Sequence, residues 1–210
     1  KCLSGPPGSA PITFNDRCAA VFEHRRHVEQ GLRTDSMRDG NGAIIRSNYF
    51  DMGMLMDYWS PKRLNHHTDA ATMLYAAREC ARQVLAEGLE AGIARHVTIS
   101  AALRAGLSAM GLSLYGDPAH RMANVTGVVI PKSIADSEKV RAELLNDFGI
   151  EIGTSFGPLA GKIWRIGIMG YAARKTNVLR CLVSLEAVLR RHGHIAPAGA
   201  AVAAALEMLG

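Results

Sequence analysis

Residues 162–170 read KIWRIGIMG, and the alternation inside that stretch decides the fold class. In an extended segment successive side chains point to opposite faces, so Trp164, Ile166 and Ile168 share one apolar side. Arg165 falls on the other side with Gly167, which has no side chain to crowd it. This predicts a half-buried strand whose open face carries a lone guanidinium. Such a group is shaped to fork onto a carboxylate. An exposed surface arginine, or one paired with an acid such as Glu151, fits the same spacing.

Working outward, RKTNVLRCLVSLEAVLRR (174–191) repeats apolar residues at helical spacing through Val178, Leu182, Leu185 and Leu189. Upstream, DSEKVRAELLNDFG (136–149) reads as a capped helix with Val140, Leu144, Leu145 and Phe148 inward. NVTGVVIP (124–131) and LSLYG (112–116) read as further strands. A long helix to about Met110 leads into them. Short strands interleaved with helices predict a compact α/β domain from residue 88 onward, with a short, mostly antiparallel sheet.

Residues 1–87 read differently, as helices and loops with little strand. Pro6, Pro7, Gly8 and Pro11 make the first dozen residues a shaped loop. A polar helix is expected from Asn15 to Leu32, a flexible connection over RTDSMRDGNG (33–42), and a short helix over DMGMLMDYW (51–59) stopped by Pro61. NHHTDAATMLYAARECARQVLAEG (65–88) predicts a long helix capped by Thr68 or Asp69 and ended by Gly88, with Met73, Leu74, Ala77, Ala81, Val84 and Leu85 as its apolar stripe. A helix start at Thr68 is also a ready anion site, phosphate being the obvious guest.

The bulk figures suit a globular chain: 210 residues, 48% hydrophobic and 20% charged. The net charge of +5 is scattered, as in EHRRHVEQ (23–30), and aromatics are only 6%, so no nucleic-acid face is predicted. Cys2, Cys18, Cys80 and Cys181 show no paired spacing, which predicts a reducing compartment with Cys80 and Cys181 as small core residues. No basic-then-apolar leader is visible, and IAPAGAAVAAALEMLG (195–210) is too short to span a bilayer. A cytoplasmic protein without a membrane segment is expected. The adjacent His66 and His67 point apart on a loop and have no further ligand at useful spacing, so no metal site is predicted. His24, His27, His192 and His194 read as solvated. Taken alone, Lys1 is a chain-end lysine.

The combination of KCLSGPPGSAPITF (1–14), RLNHHTDAATMLYAARE (63–79) and FGIEIGTSFGPLAGKIWRIGIMGYAARKTNV (148–178), in that order, resembles the C-terminal half of the class V aminotransferases of fold type I. Within that family the chain looks most like the ureidoglycine–glyoxylate branch, a relative of the alanine– and serine–glyoxylate enzymes. The resemblance implies pyridoxal 5'-phosphate as cofactor and a homodimer. It implies that residues 1–87 end the large cofactor-binding domain and that 88–210 form the small domain. Lys1 aligns with the lysine that joins the cofactor and moves the α-proton. Arg165 aligns with the arginine that grips the substrate α-carboxylate. Thr68 aligns with a residue that reaches the cofactor phosphate from the neighbouring subunit. Asn65 stands where many relatives have tyrosine, and its amide could bond a ureido group.

The implied reaction moves the amino group of (S)-ureidoglycine to glyoxylate, giving oxalurate and glycine in purine breakdown. An alanine– or serine–glyoxylate activity is the alternative, as is a non-catalytic α/β module that binds an anion or a partner. The family's acid on the pyridine nitrogen, the stacking aromatic and most phosphate contacts precede the lysine. Residues 1–210 alone are therefore expected not to transaminate.

Overall fold

The structure is a computed structural model that describes residues 1–25, 47 and 49–210. The chain divides into two compact units, Pro7–Tyr75 and Lys1–Pro6 with Ala76–Gly210. The part of the polar helix expected beyond Arg25, the connection over 33–42 and His27 lie outside the described residues.

Pro7–Tyr75 holds α1 (Asp16–Arg25), α2 (Met52–Trp59) and the first turn of α3 (Ala71–Glu87). Asp51 starts α2 by accepting the Met54 amide at 3.1 Å, and α2 ends at Ser60, just before Pro61. Phe14 and Phe22 pack edge to face, ring centres 5.1 Å apart. Helix α3 differs from its predicted start. Neither Thr68 nor Asp69 caps it; the Ala70 carbonyl takes the Met73 and Leu74 amides instead. No residue of α3 is buried, and of its predicted stripe Leu74 and Leu85 stand exposed.

In the larger unit, Gly88 alone separates α3 from α4 (Leu89–Ala109), with φ at +87°. Then come β1 (Val125–Val129), α5 (Ser137–Phe148), β2 (Ile163–Gly167), α6 (Lys175–Arg191) and α7 (Ala200–Leu209). Strands β1 and β2 pair antiparallel, with Val125 opposite Gly167, Gly127 opposite Arg165 and Val129 opposite Ile163. LSLYG, expected as a strand, contributes only an isolated bridge from Leu114 to Val128. Gly116, at φ +91°, then turns the chain away. Gly153 bridges Arg165 on the far edge of β2.

The core forms on the predicted face. Trp164, Ile166 and Ile168 are buried with Val128, against Leu103 and Leu107 of α4, Val140 and Leu144 of α5, and Val178, Leu182, Leu185 and Leu189 of α6. Asp136 caps α5 through the Glu138 and Lys139 amides, and Gly149 ends it in the left-handed region, at φ +63°. Leu145, expected inward on α5, is exposed. Gly106 of α4 lets α6 and α7 approach: a Cβ there would sit 2.4 Å from Leu182 Cδ1 and 2.8 Å from the Ala201 carbonyl oxygen.

Cys181 is buried, as expected, but Cys80 is only half-buried. The histidines after α6 are bound rather than solvated: His192 Nε2 lies 2.8 Å from Glu143 Oε1, and His194 Nε2 lies 2.9 Å from the Met110 carbonyl. No described helix is long and apolar enough to cross a membrane.

Candidate functional site

Arg165 leaves β2 on the face opposite Trp164 and is half-buried. Glycines hold the space around it: Gly153 exchanges both backbone hydrogen bonds with it at 2.8 Å, and Gly127 faces it across the sheet. A Cβ on Gly153 would touch the Arg165 stem at 3.7 Å. The Nε–H donates to the Thr154 carbonyl at 2.6 Å, and the guanidinium lies 4.8 Å from the centre of the Phe156 ring. Among the described residues no acid pairs with Arg165, Glu151 included, and its terminal nitrogens donate no hydrogen bond. One edge of the guanidinium is anchored, and the fork beyond it stays open for a carboxylate.

Lys1 belongs to the same unit, and its side chain is exposed. Residues 1–4 form a turn in which the Lys1 carbonyl accepts the Ser4 amide at 2.8 Å. Ser4 adopts φ +59°, uncommon for a residue with a side chain. Its Oγ accepts the Tyr171 amide at 2.5 Å, and Asn124 Nδ2 lies 3.5 Å from Cys2 Sγ. The Lys1 turn therefore rests on the 170–173 turn, which directly follows the strand bearing Arg165.

Helix α4 clamps that turn from beneath. Arg95 Nη1 donates to the carbonyls of Gly170 and Ala173, each at 2.9 Å. Its other edge forks onto Glu87 at 2.5 and 2.9 Å, which holds the Glu87 carboxyl below its ordinary range. His96 Nε2 accepts the Gly170 amide at 2.9 Å, and Nδ1 lies 2.7 Å from the Gly92 carbonyl oxygen. Gly170 sits at φ +56°, and a Cβ there would lie 1.9 Å from Ser4 Oγ and 2.8 Å from the Cys2 carbonyl oxygen. Sequence reasoning missed Ser4, Arg95, His96 and Gly170. Their partners lie 74 to 167 positions away, beyond the reach of any local pattern. A cavity of about 400 Å³ opens beside this clamp, lined by Cys2, Leu3, Ile93, His96, Met122 and Asn124 among others.

Asn65 and Thr68 lie in the other unit, both exposed, on the segment before α3. The histidines between them do not point apart: His66 Nδ1 and His67 Nδ1 are 2.9 Å from each other. His67 Nε2 reaches Asp69 Oδ1 at 2.9 Å, and the Tyr58 hydroxyl donates to Asp69 Oδ2 at 2.6 Å. That bond raises the Tyr58 pKa. Asp69 is held by these partners, while the Asn65 amide and the Thr68 hydroxyl project from a segment that they stiffen.

No protein-family profile matches the chain. Over 211 aligned residues it is 57% identical to the (S)-ureidoglycine–glyoxylate transaminase of Bacillus subtilis, an alignment that covers 99% of this chain and 50% of that protein. It is 32% identical to the alanine–glyoxylate aminotransferase of Felis catus over 91% of the chain and 43% of that protein. The crystal structure of ureidoglycine–glyoxylate aminotransferase from Bacillus subtilis superposes with a TM-score of 0.89 at 55% identity, over 100% of this chain and 50% of that one. That of an alanine–glyoxylate aminotransferase from Nostoc sp. gives 0.67 at 37% identity, over 77% of this chain and 40% of the other. The chain spans about half the length of the relatives it matches. By sequence and by fold, it belongs to the class V, fold type I aminotransferases and corresponds to their C-terminal half.

Proposed function

We propose that this chain is the C-terminal part of a pyridoxal-phosphate-dependent aminotransferase that moves the amino group of (S)-ureidoglycine to glyoxylate, yielding oxalurate and glycine. The observation that carries the reading is the open guanidinium fork of Arg165, on a strand whose following turn seats the Lys1 segment. The identity to the Bacillus subtilis transaminase favours the ureidoglycine donor over alanine or serine. In this reading residues 1–87 close the large domain, residues 88–210 form the small one, and the whole protein works as a cytoplasmic homodimer.

The residues present fit the cofactor. Lys1 offers an exposed primary amine on an anchored turn, and Thr68, reaching in from the neighbouring subunit of the proposed dimer, offers an exposed hydroxyl for a phosphate oxygen. When bound, pyridoxal phosphate supplies an electron sink that eases removal of the substrate α-proton. Arg165 binds the α-carboxylate of the donor or of glyoxylate through its free nitrogens, a charge-assisted pair that fixes how the α-carbon is presented. Its anchored Nε and the Phe156 ring limit the swing of the guanidinium, so the carboxylate is received in one orientation. The Lys1 amine takes the α-proton and later returns it. The Ser4, Cys2 and Gly170 contacts keep the Lys1 backbone in place while its side chain moves. The Asn65 amide, with one acceptor and two donor hydrogens, matches the ureido group of the donor.

The test is a comparison of ureidoglycine, serine and alanine as donors to glyoxylate, using the full-length protein and its Asn65→Tyr variant. The proposal expects ureidoglycine to lead and the variant to lose that lead. A donor ranking unmoved by Asn65→Tyr would remove Asn65 from substrate recognition. A protein that leaves ureidoglycine unused would sink the assignment of the reaction.

A further inference from the structure

We propose a second anion site in the larger unit, built by Arg104 and Arg121 and suited to a small tetrahedral oxyanion such as a phosphate group. It shares no residue with Lys1, Arg165, Asn65 or Thr68. A cavity of about 330 Å³ lies between the last third of α4, the loop over 115–122 and β1, lined by Arg104, Tyr115, Asp117, His120, Arg121 and Thr126 among others.

Both guanidinia are half-buried there, and among the described residues neither is paired with a carboxylate. Arg104 holds one hydrogen bond, from Nη1 to Ser100 Oγ at 2.5 Å. Arg121 Nη2 reaches only the carbonyls of Leu114 and Gly116, at 3.3 and 3.1 Å, and its buried Nε has no partner. The nearby acid, Asp117, is already engaged: Oδ2 with His120 at 2.6 Å, and Oδ1 with the Ala119 amide at 2.9 Å. Thr126 is 4% exposed and lines the cavity with its Oγ1 unpartnered.

Two like charges in a half-buried cavity are unfavourable, and the carboxylate on its wall, Asp117, feels the Arg121 charge without forming an ion pair with it. Arg104 registers this strain, its pKa lowered by burial and by the Arg121 charge. An oxyanion in the cavity would neutralise both guanidinia, occupy their free donors and give the threonine hydroxyl a partner. A tetrahedral phosphate group can present oxygens to both guanidinia and to the Thr126 hydroxyl at once, more donors than the two oxygens of a carboxylate reach.

The experiment measures the melting temperature of the full-length, cofactor-saturated protein as inorganic phosphate replaces chloride at constant ionic strength, with acetate as a second arm. Saturation fills the cofactor's own phosphate site, and an Arg165→Gln control removes binding at the proposed substrate site. At phosphate roughly tenfold above its dissociation constant, the native protein and the Arg165→Gln control should gain about 1–2 °C. Acetate should give less.

Arg104→Gln and Arg104→Met should lose the phosphate response and, in chloride alone, melt no lower than the native protein because a like-charge contact has gone. Line broadening of the phosphate phosphorus signal by the native protein provides a reading independent of folding. No phosphate response in the native protein, or a full response in both Arg104 variants, overturns the site and leaves the transaminase reading untouched. A response lost only in Arg165→Gln assigns the anion to the substrate site and also overturns it.

Discussion

Replacing Gly170 with alanine would place a methyl group where the Lys1 turn already sits. Two costs add. The residue keeps φ near +56°, where a side chain costs about 1–2 kcal/mol relative to glycine. The new Cβ also falls 1.9 Å from Ser4 Oγ and 2.8 Å from the Cys2 carbonyl oxygen. Ser4 can rotate to relieve the first contact, but the second is backbone and yields only if residues 1–4 lift away. Lifting breaks the Tyr171 N–H to Ser4 Oγ bond, worth about 1 kcal/mol. The total is roughly 2–3 kcal/mol, about 1 of which belongs to the seat of the Lys1 turn.

Gly193→Ala isolates the backbone part, since Gly193 has φ +83° and nothing lies within 4 Å of the point its methyl group would occupy. Amide hydrogen exchange in the full-length protein reads the difference locally. The Tyr171 amide should exchange at least about fivefold faster in Gly170→Ala and be unchanged in Gly193→Ala. Equal Tyr171 protection in the two variants would refute the claim that this turn carries the Lys1 segment.

The remaining predictions concern the frame around the site. Gly106→Ala should destabilise the larger unit by about 1–3 kcal/mol in denaturant unfolding, because contact with Leu182 and the Ala201 carbonyl outweighs the gain of about 0.5–1 kcal/mol that alanine gives inside a helix. His96→Leu should leave the Gly170 amide without an acceptor and speed its exchange about tenfold, whereas His96→Gln, which retains a carbonyl acceptor, should restore protection. Burial pushes the Cys181 thiol up to about 11, so a thiol reagent should label Cys2 and Cys18 in the folded protein and reach Cys181 only on unfolding. The same shift has a definite sign. The unfolded thiol ionises near its ordinary 9 while the folded one does not, so stability is whole below pH 9 and falls as pH rises toward 11. A Cys181→Ala variant should flatten that part of the alkaline stability curve.

Features with a local cause were legible in the sequence. The two-residue period of KIWRIGIMG placed Trp164, Ile166 and Ile168 inside and Arg165 on the open face. Asp136 before SEKV and the alternating four- and three-residue spacing of α6 fixed a cap and a buried stripe. What escaped depends on partners far along the chain. His192 read as solvated because nothing nearby in sequence could hold it, yet Glu143 does. The α3 stripe looked like core although no described element buries it, since periodicity shows that a face is apolar and not what covers it. Thr68 and Asp69 looked like caps because their types suit one, but the Tyr58 hydroxyl and His67 draw Asp69 away. The seat of Lys1 was invisible for the same reason: Ser4, Gly170, Arg95 and His96 meet only once the chain has folded.

The central claim is that Lys1 carries the cofactor. Borohydride reduction of the full-length protein with pyridoxal phosphate, followed by peptide mapping, tests it directly. A phosphopyridoxyl group is expected on the Lys1 side chain, in the peptide that contains KCLSGPPGSAPITFNDR, and its loss is expected in Lys1→Ala. Stable modification of another lysine instead, or labelling that persists in Lys1→Ala, would contradict it.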